Sequence, residues 1–195
     1  MQKFWMFLCC VLTSDMASAV EKAAEFQANT LASIACSVQI PEKWTVYDRS
    51  AQSSGSWVIT PDDLNKAHYQ TGVRIDVLSN TKINTGVIAS KWVEDRIKSK
   101  SGSLPILRSE TGSTNDYFRV ERLVTQEVYS PGRTEYATYR KIYSWFWNDE
   151  QDVVICMEAQ TPEKSWKKMS SVLEKIGRLR FNVAEWKKRL KKSEK

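Results

Sequence analysis

Three sets of side chains in this sequence are candidates for chemistry: one histidine, a group of carboxylates on extended segments, and a cluster of aromatic residues. His68 is the only histidine. A zinc site needs several imidazoles or thiolates close together, so His68, set in the polar run Lys-Ala-His-Tyr-Gln, is expected to be a surface loop residue. No two of the seven glycines have G-x-G spacing, and neither G-K-[ST] nor G-x-S-x-G occurs. Nucleotide loops and the serine-hydrolase elbow are therefore missing, and no cofactor and no metal are expected. Glu121, Glu127, Glu135 and Glu158 fall in strand-like runs. Two facing carboxylates can act as a general acid and base, which keeps an envelope hydrolase open as an alternative. Solvated or ion-paired strand positions are the simpler reading. Asp62 and Asp63 fit stabilisation of a helix start better than metal binding.

Two features suit binding. Tyr139, Tyr143, Trp145 and Trp147 lie two residues apart, so a strand puts them on one face, where they can stack on sugars or peptides or anchor an interface. A helix covering them would make them core instead. The second feature is the C-terminal tail. From Glu185 onward it carries six Lys/Arg against two Glu, out of a formal net charge of +6 for the chain. The body is thus nearly neutral, which argues against a nucleic-acid partner. Trp186, Lys187, Lys188, Arg189, Lys191 and Lys192 are candidates for contact with an anionic membrane surface, the alternative being a solvated tail.

The N-terminus reads as an address. Lys3, the apolar run Phe4 to Leu12 and the Ala17-Ser18-Ala19 motif make an export signal cleaved before Val20. The run is too short to span a bilayer. Cys9 and Cys10 raise a lipoprotein alternative, but Leu8 before Cys9 and a cysteine before Cys10 do not match a lipidation site. The chain is expected to be periplasmic or secreted. Cys36 and Cys156 remain after cleavage. In an oxidising compartment they are candidates for a disulfide across about 120 residues, with two buried thiols as the alternative.

These residues need elements to position them. The central stretch, Tyr117 to Trp147, reads as two aromatic and β-branched strands joined through Pro131-Gly132, with a third strand at Asp152 to Gln160. The second run is apolar on both faces, the mark of a strand covered on both sides. If function lies near this hairpin, it lies at the rims, around 129–133 and 148–151. Earlier strands are expected at Ser33–Ile40, Trp44–Tyr47, Trp57–Ile59 and Gly72–Leu78, with an edge strand at Leu104–Arg108. Helical composition marks Val20–Ala32 as a short leader helix or a frayed arm. Thr60-Pro61-Asp62-Asp63 and Thr161-Pro162-Glu163 are helix-start signals, and Asn80–Thr85 reads as loop. Gly86–Lys100 carries an amphipathic stripe of Ile88, Ala89, Trp92, Val93 and Ile97. A second helix runs from Thr161 to Gly177, followed by a short strand near Arg178–Asn182. The expected organisation is a signal at 1–19, one α+β domain at 20–182 and a basic tail at 183–195.

The order of parts resembles PsbP-like proteins. The resemblance is carried by a strand entering Ile40-Pro41-Glu42-Lys43-Trp44, by Thr71-Gly72-Val73-Arg74-Ile75, and by DVVICMEAQTPEKSWKKMSSVLEKI followed by Arg180-Phe181. It spans about Ser33 to Asn182. It implies an antiparallel β-sheet with helices on both faces, an α-β-α sandwich. It also implies a binding or assembly role, since that superfamily includes photosystem extrinsic subunits, a Ran-interacting factor and exported bacterial proteins. The leading expectation is an exported, non-enzymatic protein that binds another protein or an envelope component, with its oligomeric state left open.

Overall fold

Strands β7 (Phe118–Tyr129) and β8 (Ala137–Asn148) pair antiparallel over eleven consecutive positions, from Arg119↔Trp147 to Tyr129↔Ala137. The computed structural model describes residues 25–31, 34–49, 55–66, 68–114, 117–129 and 136–193, with side chains to 188. The export signal, Glu135 and the Pro131-Gly132 connection lie outside the described residues.

Seven strands form the main sheet, in the order β3-β4-β5-β9-β8-β7-β6, with every pairing antiparallel. They are β3 (Thr45–Asp48), β4 (Ser56–Thr60), β5 (Gly72–Ser79), β6 (Ile106–Thr114), β7, β8 and β9 (Val153–Pro162). A smaller sheet, β1-β2-β10, joins β1 (Phe26–Leu31), β2 (Cys36–Pro41) and β10 (Arg180–Phe181). Helices α1 (Thr81–Thr85) and α2 (Ala89–Ser103) follow β5. A single 3-10 turn (Glu163–Ser165) leads into α3 (Trp166–Ile176), and α4 (Val183–Ser193) follows β10. The protein is thus an α+β sandwich, an antiparallel sheet with helices on both faces.

Strand alternation divides the main sheet into two unlike faces. On one, Trp57, Ile59, Val73, Ile75, Val77, Phe118, Val124, Ile142, Phe146, Ile155 and Met157 are all buried. They are covered by Ile34, Val38 and Ile40 of the small sheet side, by Leu173 and Ile176 of α3, and by Trp186 of α4. We call this the closed face. At roughly 1.5–3 kcal/mol for each large apolar side chain fully removed from water, it carries most of the driving force for folding. On the opposite face, α2 lays Ala89, Trp92, Val93 and Ile97 over Leu123, Tyr143, Trp145 and Val154. Helix α2 reaches only one half of that face, which we call the open face.

Four local expectations change. Val20–Ala32 is not helical where described: Phe26–Leu31 pairs with β2 in register from Phe26↔Pro41 to Leu31↔Cys36. Backbone pairing to a neighbouring strand overrides a weak helical propensity. The Thr60–Asp63 signal starts no helix. Thr60 Oγ1 accepts the Asp62 amide at 3.0 Å and donates to the Thr71 carbonyl at 2.6 Å, while the Asp62 carboxylate accepts the Gln70 and Thr71 amides at 2.7 and 3.1 Å. The side chains that would cap a helix instead close a loop. Gly72 ends that loop, where an added Cβ would come within 2.7 Å of the Ile59 carbonyl oxygen. Asn80–Thr85, read as loop, contains α1, because Asp152 reaches across the sequence to accept the Lys82 amide. The Thr161 signal begins later than expected, with β9 continuing to Pro162.

Cys36 and Cys156 are both free thiols, so the expected disulfide is corrected. Cys36 sits on β2 within the core of the closed face. Cys156 lies opposite Asp76 and Trp145 and packs on the α2 side. The main sheet stands between them, and a disulfide cannot cross it.

Candidate functional site

The half of the open face beyond α2 is polar, and its strand register brings together residues far apart in sequence. Lys141 of β8 sits between Glu127 of β7 and Glu158 of β9. Its Nζ lies 2.6 Å from Glu158 Oε1 and 3.5 Å from Glu127 Oε2. The Lys141 side chain is only 9% exposed, so the charge is largely out of water. Glu127 Oε1 also accepts from Thr125 Oγ1 at 3.0 Å and from the Tyr143 hydroxyl at 2.7 Å. Lys100 of α2 donates to that hydroxyl at 2.9 Å and lies 4.0 Å from the ring centroid of Tyr143. Tyr129 stacks obliquely on Tyr139 at 4.6 Å and lies 4.1 Å from the Lys141 ammonium. Its hydroxyl donates to Gln160 Oε1, and Gln160 Nε2 donates to the Tyr69 carbonyl at 3.1 Å.

The electrostatics follow from this packing. Burial, then the nearby charge of Glu158, pushes the phenols of Tyr69, Tyr129 and Tyr143 well above their ordinary range. All three therefore remain neutral hydrogen-bonding groups at physiological pH. Both carboxylates are committed to Lys141, which occupies the space between them. The geometry is that of a closed ion-pair network rather than of an acid and base flanking a substrate.

A cleft of about 580 Å³ opens beside this network, at the β4–β5 side. Arg49, Lys66, His68 and Arg74 reach its walls, Tyr69 lines it toward the network, and Val58 and Leu64 supply apolar surface. No described lining residue is a carboxylate. Asp63 and Asp76 approach from outside, 3.2 Å from Lys66 Nζ and 2.7 Å from Arg74 Nε. His68, expected as a surface loop residue, is exposed and contributes to this wall. No cluster of three or more metal-ligating side chains occurs among the described residues.

The other sequence candidates scatter. Tyr139, Tyr143 and Trp145 are 2%, 5% and 5% exposed; Tyr143 and Trp145 lie under α2, Tyr139 packs on Tyr129 beyond it, and Trp147 is half-buried at the strand end. Tyr143 and Trp145 stack with centroids 5.8 Å apart. Glu121 accepts hydroxyl hydrogen bonds from Ser109 and Thr111 of β6. The tail candidates divide sharply. Trp186 is 6% exposed, donates Nε1–H to the Ile34 carbonyl at 2.9 Å and meets Phe118 edge-on at 5.2 Å. It is core, which corrects its assignment as a membrane contact. Lys187 and Lys188 are exposed on α4, and the side chains of Arg189, Lys191 and Lys192 lie outside the described residues. Sequence reasoning missed Lys141 and Tyr69, and reached Tyr129 only as the first residue of the 129–133 rim. No local motif marks them, and only the pairing of β7, β8 and β9 brings them together.

A seven-stranded antiparallel sheet, helix-covered on both faces and entered through Ile40-Pro41-Glu42-Lys43-Trp44, is the fold of PsbP-like proteins. Among solved structures, cyanobacterial PsbP from Synechocystis sp. PCC 6803 is similar with a TM-score of 0.51 and 13% identity, covering 84% of this chain and 95% of that one. The Ran-binding protein Mog1p of Saccharomyces cerevisiae gives a TM-score of 0.47 at 12% identity, covering 77% of this chain and 85% of that one. A protein of unknown function from Pseudomonas aeruginosa gives 0.41 at 8%, covering 79% and 94%. The fold assignment rests on the first of these. No family model matches the sequence, and no curated protein matches it.

Proposed function

We propose that this is an exported, non-enzymatic binding or assembly protein of the cell envelope. Its docking surface is the uncovered half of the open face, and its partner is a protein presenting an acidic segment with an apolar side chain or two. The observation that carries this reading is the basic cleft, which has Arg49, Lys66 and Arg74 on its walls and Val58 and Leu64 within. Asp63 and Asp76 offset part of the Lys66 and Arg74 charge from outside the lining, and the cationic side chains on the wall orient an opposite charge over the apolar floor. The Lys141 network beside it is rigid and satisfied, and it gives the cleft a fixed wall. An envelope hydrolase would need Glu127 and Glu158 free to exchange protons with a substrate, and Lys141 holds both.

Export is supported by the 1–19 pattern, and no described helix is long and apolar enough to cross a membrane. Mass spectrometry of the mature chain should give Val20 as its first residue. The docking surface is tested by photocrosslinkers placed at Lys66, His68 and Arg74 in cells, with Lys167 on α3 as the control. A discrete adduct from the cleft positions, lost when Arg49 and Arg74 are both changed to Glu, is the expected result. Adducts from Lys167 alone would reject the cleft. Lipid adducts from Lys187 and Lys188 alone would favour peripheral membrane association through α4.

A further inference from the structure

The outer surface of the layer that covers the closed face is charged with one sign. Helix α3 buries Leu173 and Ile176, and packs Trp166, Met169 and Val172 against the same core. Its exposed positions are Lys167, Lys168, Ser171 and Lys175, with Lys164 exposed in the turn before it and Arg178 just beyond it. The 3.6-residue period gathers these onto the side away from the core. No carboxylate interrupts the row. Glu163 and Glu174, the two acids of this segment, pair with Arg140 of β8 and Arg108 of β6. Helix α2 is different: its exposed Lys91 lies 3.1 Å from both Glu94 and Asp95. Like charges three and four residues apart weaken a helix, so α3 keeps its row at a cost that α2 avoids. On α4, which covers the same core, Lys187 and Lys188 are exposed as well.

Three properties of the row select its partner. It stands on the convex side of a helix, and none of its residues lines the basic cleft, so it encloses no ligand. From 164 to 178 it extends about 20 Å at 1.5 Å per residue, a line of charges rather than a point. Its cations are mainly lysine, whose ammonium is a compact point charge, and not arginine, whose planar fork suits one particular carboxylate or phosphate. Point charges strung along a line match a surface over which negative charge is spread.

We infer that the outer side of α3 docks this protein peripherally on a bilayer rich in anionic phospholipid. The attraction acts within a Debye length of the headgroups and adds up over the row. Strand alternation sets what then faces away. Val58 and Arg74 of the cleft alternate with Ile59, Val73 and Ile75 of the closed face, so they point to the other side of the sheet. A protein resting on α3 turns its cleft away from the bilayer.

The test is cosedimentation of the mature protein with vesicles of phosphatidylcholine alone, and with vesicles containing about a third phosphatidylglycerol. Binding to the anionic vesicles alone is expected, and it should be lost as salt rises from about 0.05 to 0.5 M. Lys164→Gln, Lys167→Gln and Arg178→Gln together should weaken partitioning about a hundredfold, at about fivefold for each charge. Their Tm should be unchanged or higher, since all three side chains are exposed and repel one another. Lys82→Gln, Lys91→Gln and Lys98→Gln remove the same net charge from α1 and α2, and should weaken partitioning about threefold at most. A dye on Lys167→Cys should be quenched by spin-labelled lipid, and one on Lys66→Cys in the cleft should not. Three outcomes overturn the inference. One is no binding to anionic vesicles at about 0.05 M salt, whether or not polyglutamate is bound instead. Another is an equal loss in the two triple variants, which would leave net charge alone as the cause. The third is binding lost in Lys187→Gln with Lys188→Gln but kept in the α3 variant, which would move the contact to α4.

Discussion

The two faces of one sheet solve opposite problems with the same strands. The closed face excludes water with apolar side chains from three directions: the small sheet, α3 and α4. The open face is covered by a single helix along half its width, and where that cover ends the strands carry Lys141, Glu127, Glu158, Tyr129, Tyr143 and Gln160 in one network. Covering is a matter of area, and any apolar residue of suitable volume contributes to it. A half-buried polar network depends on each member, because removing one leaves its partners unpaired in a poorly solvated place. The closed face is therefore where stability resides, and the open face is where geometry was retained at some cost in stability.

Substitutions can break this contrast. The largest effect should come from Phe118→Ala, which empties a fully buried site touching Phe181 and Trp186; urea denaturation should show a loss of about 3–5 kcal/mol. On the open face Lys141→Met should cost about 2–3 kcal/mol by stranding Glu127 and Glu158. Adding Glu127→Gln and Glu158→Gln should restore most of it. If the triple variant is no more stable than the single one, the network is not an electrostatic unit. Arg108→Ala, which removes a partly exposed pair 2.7 Å from Glu174, should cost under about 1 kcal/mol.

Two smaller tests concern the thiols. Burial pushes Cys36 and Cys156 up from 9.0 to about 12 on opposite faces. Between those values the unfolded chain releases protons that the folded chain keeps, so stability is intact below pH 9 and falls as pH rises through the window. Thermal melts at increasing pH should show this decline, and it should be shallower in a Cys36→Ala, Cys156→Ala double variant, the tyrosine part persisting. Ellman's reagent should count two thiols in the denatured, unreduced mature protein and none promptly in the native one. A count of zero after denaturation would restore the disulfide.

Much of the fold is legible because it is written in local periodicity. Alternation in Phe118–Tyr129 and Ala137–Asn148 announces strands, and the two-faced pattern of the second places it inside a sandwich. Ala89, Trp92, Val93 and Ile97 announce α2 and its buried stripe. Misreadings occur where a local signal is taken up by a distant partner. Thr60 and Asp62 spend their capping groups on Gln70 and Thr71, Lys82 is capped by Asp152 some 70 residues away, and Phe26–Leu31 is a strand because β2 is there to pair with it. The aromatic set was legible as a face, but its exposure was not, since that depends on where α2 stops.

By itself, the sequence determined the strands after β1, the amphipathic helices α2 and α3, the α+β class and the absence of nucleotide and hydrolase motifs, because each of these is set by spacing along the chain. The tertiary structure decided the rest. It placed Cys36 and Cys156 on opposite sides of the sheet, turned Trp186 from the tail into the core, and brought Lys141 between Glu127 and Glu158. These are facts of strand register and layer order, and register is fixed by which face buries the most apolar surface across the whole sheet, a sum no single segment contains.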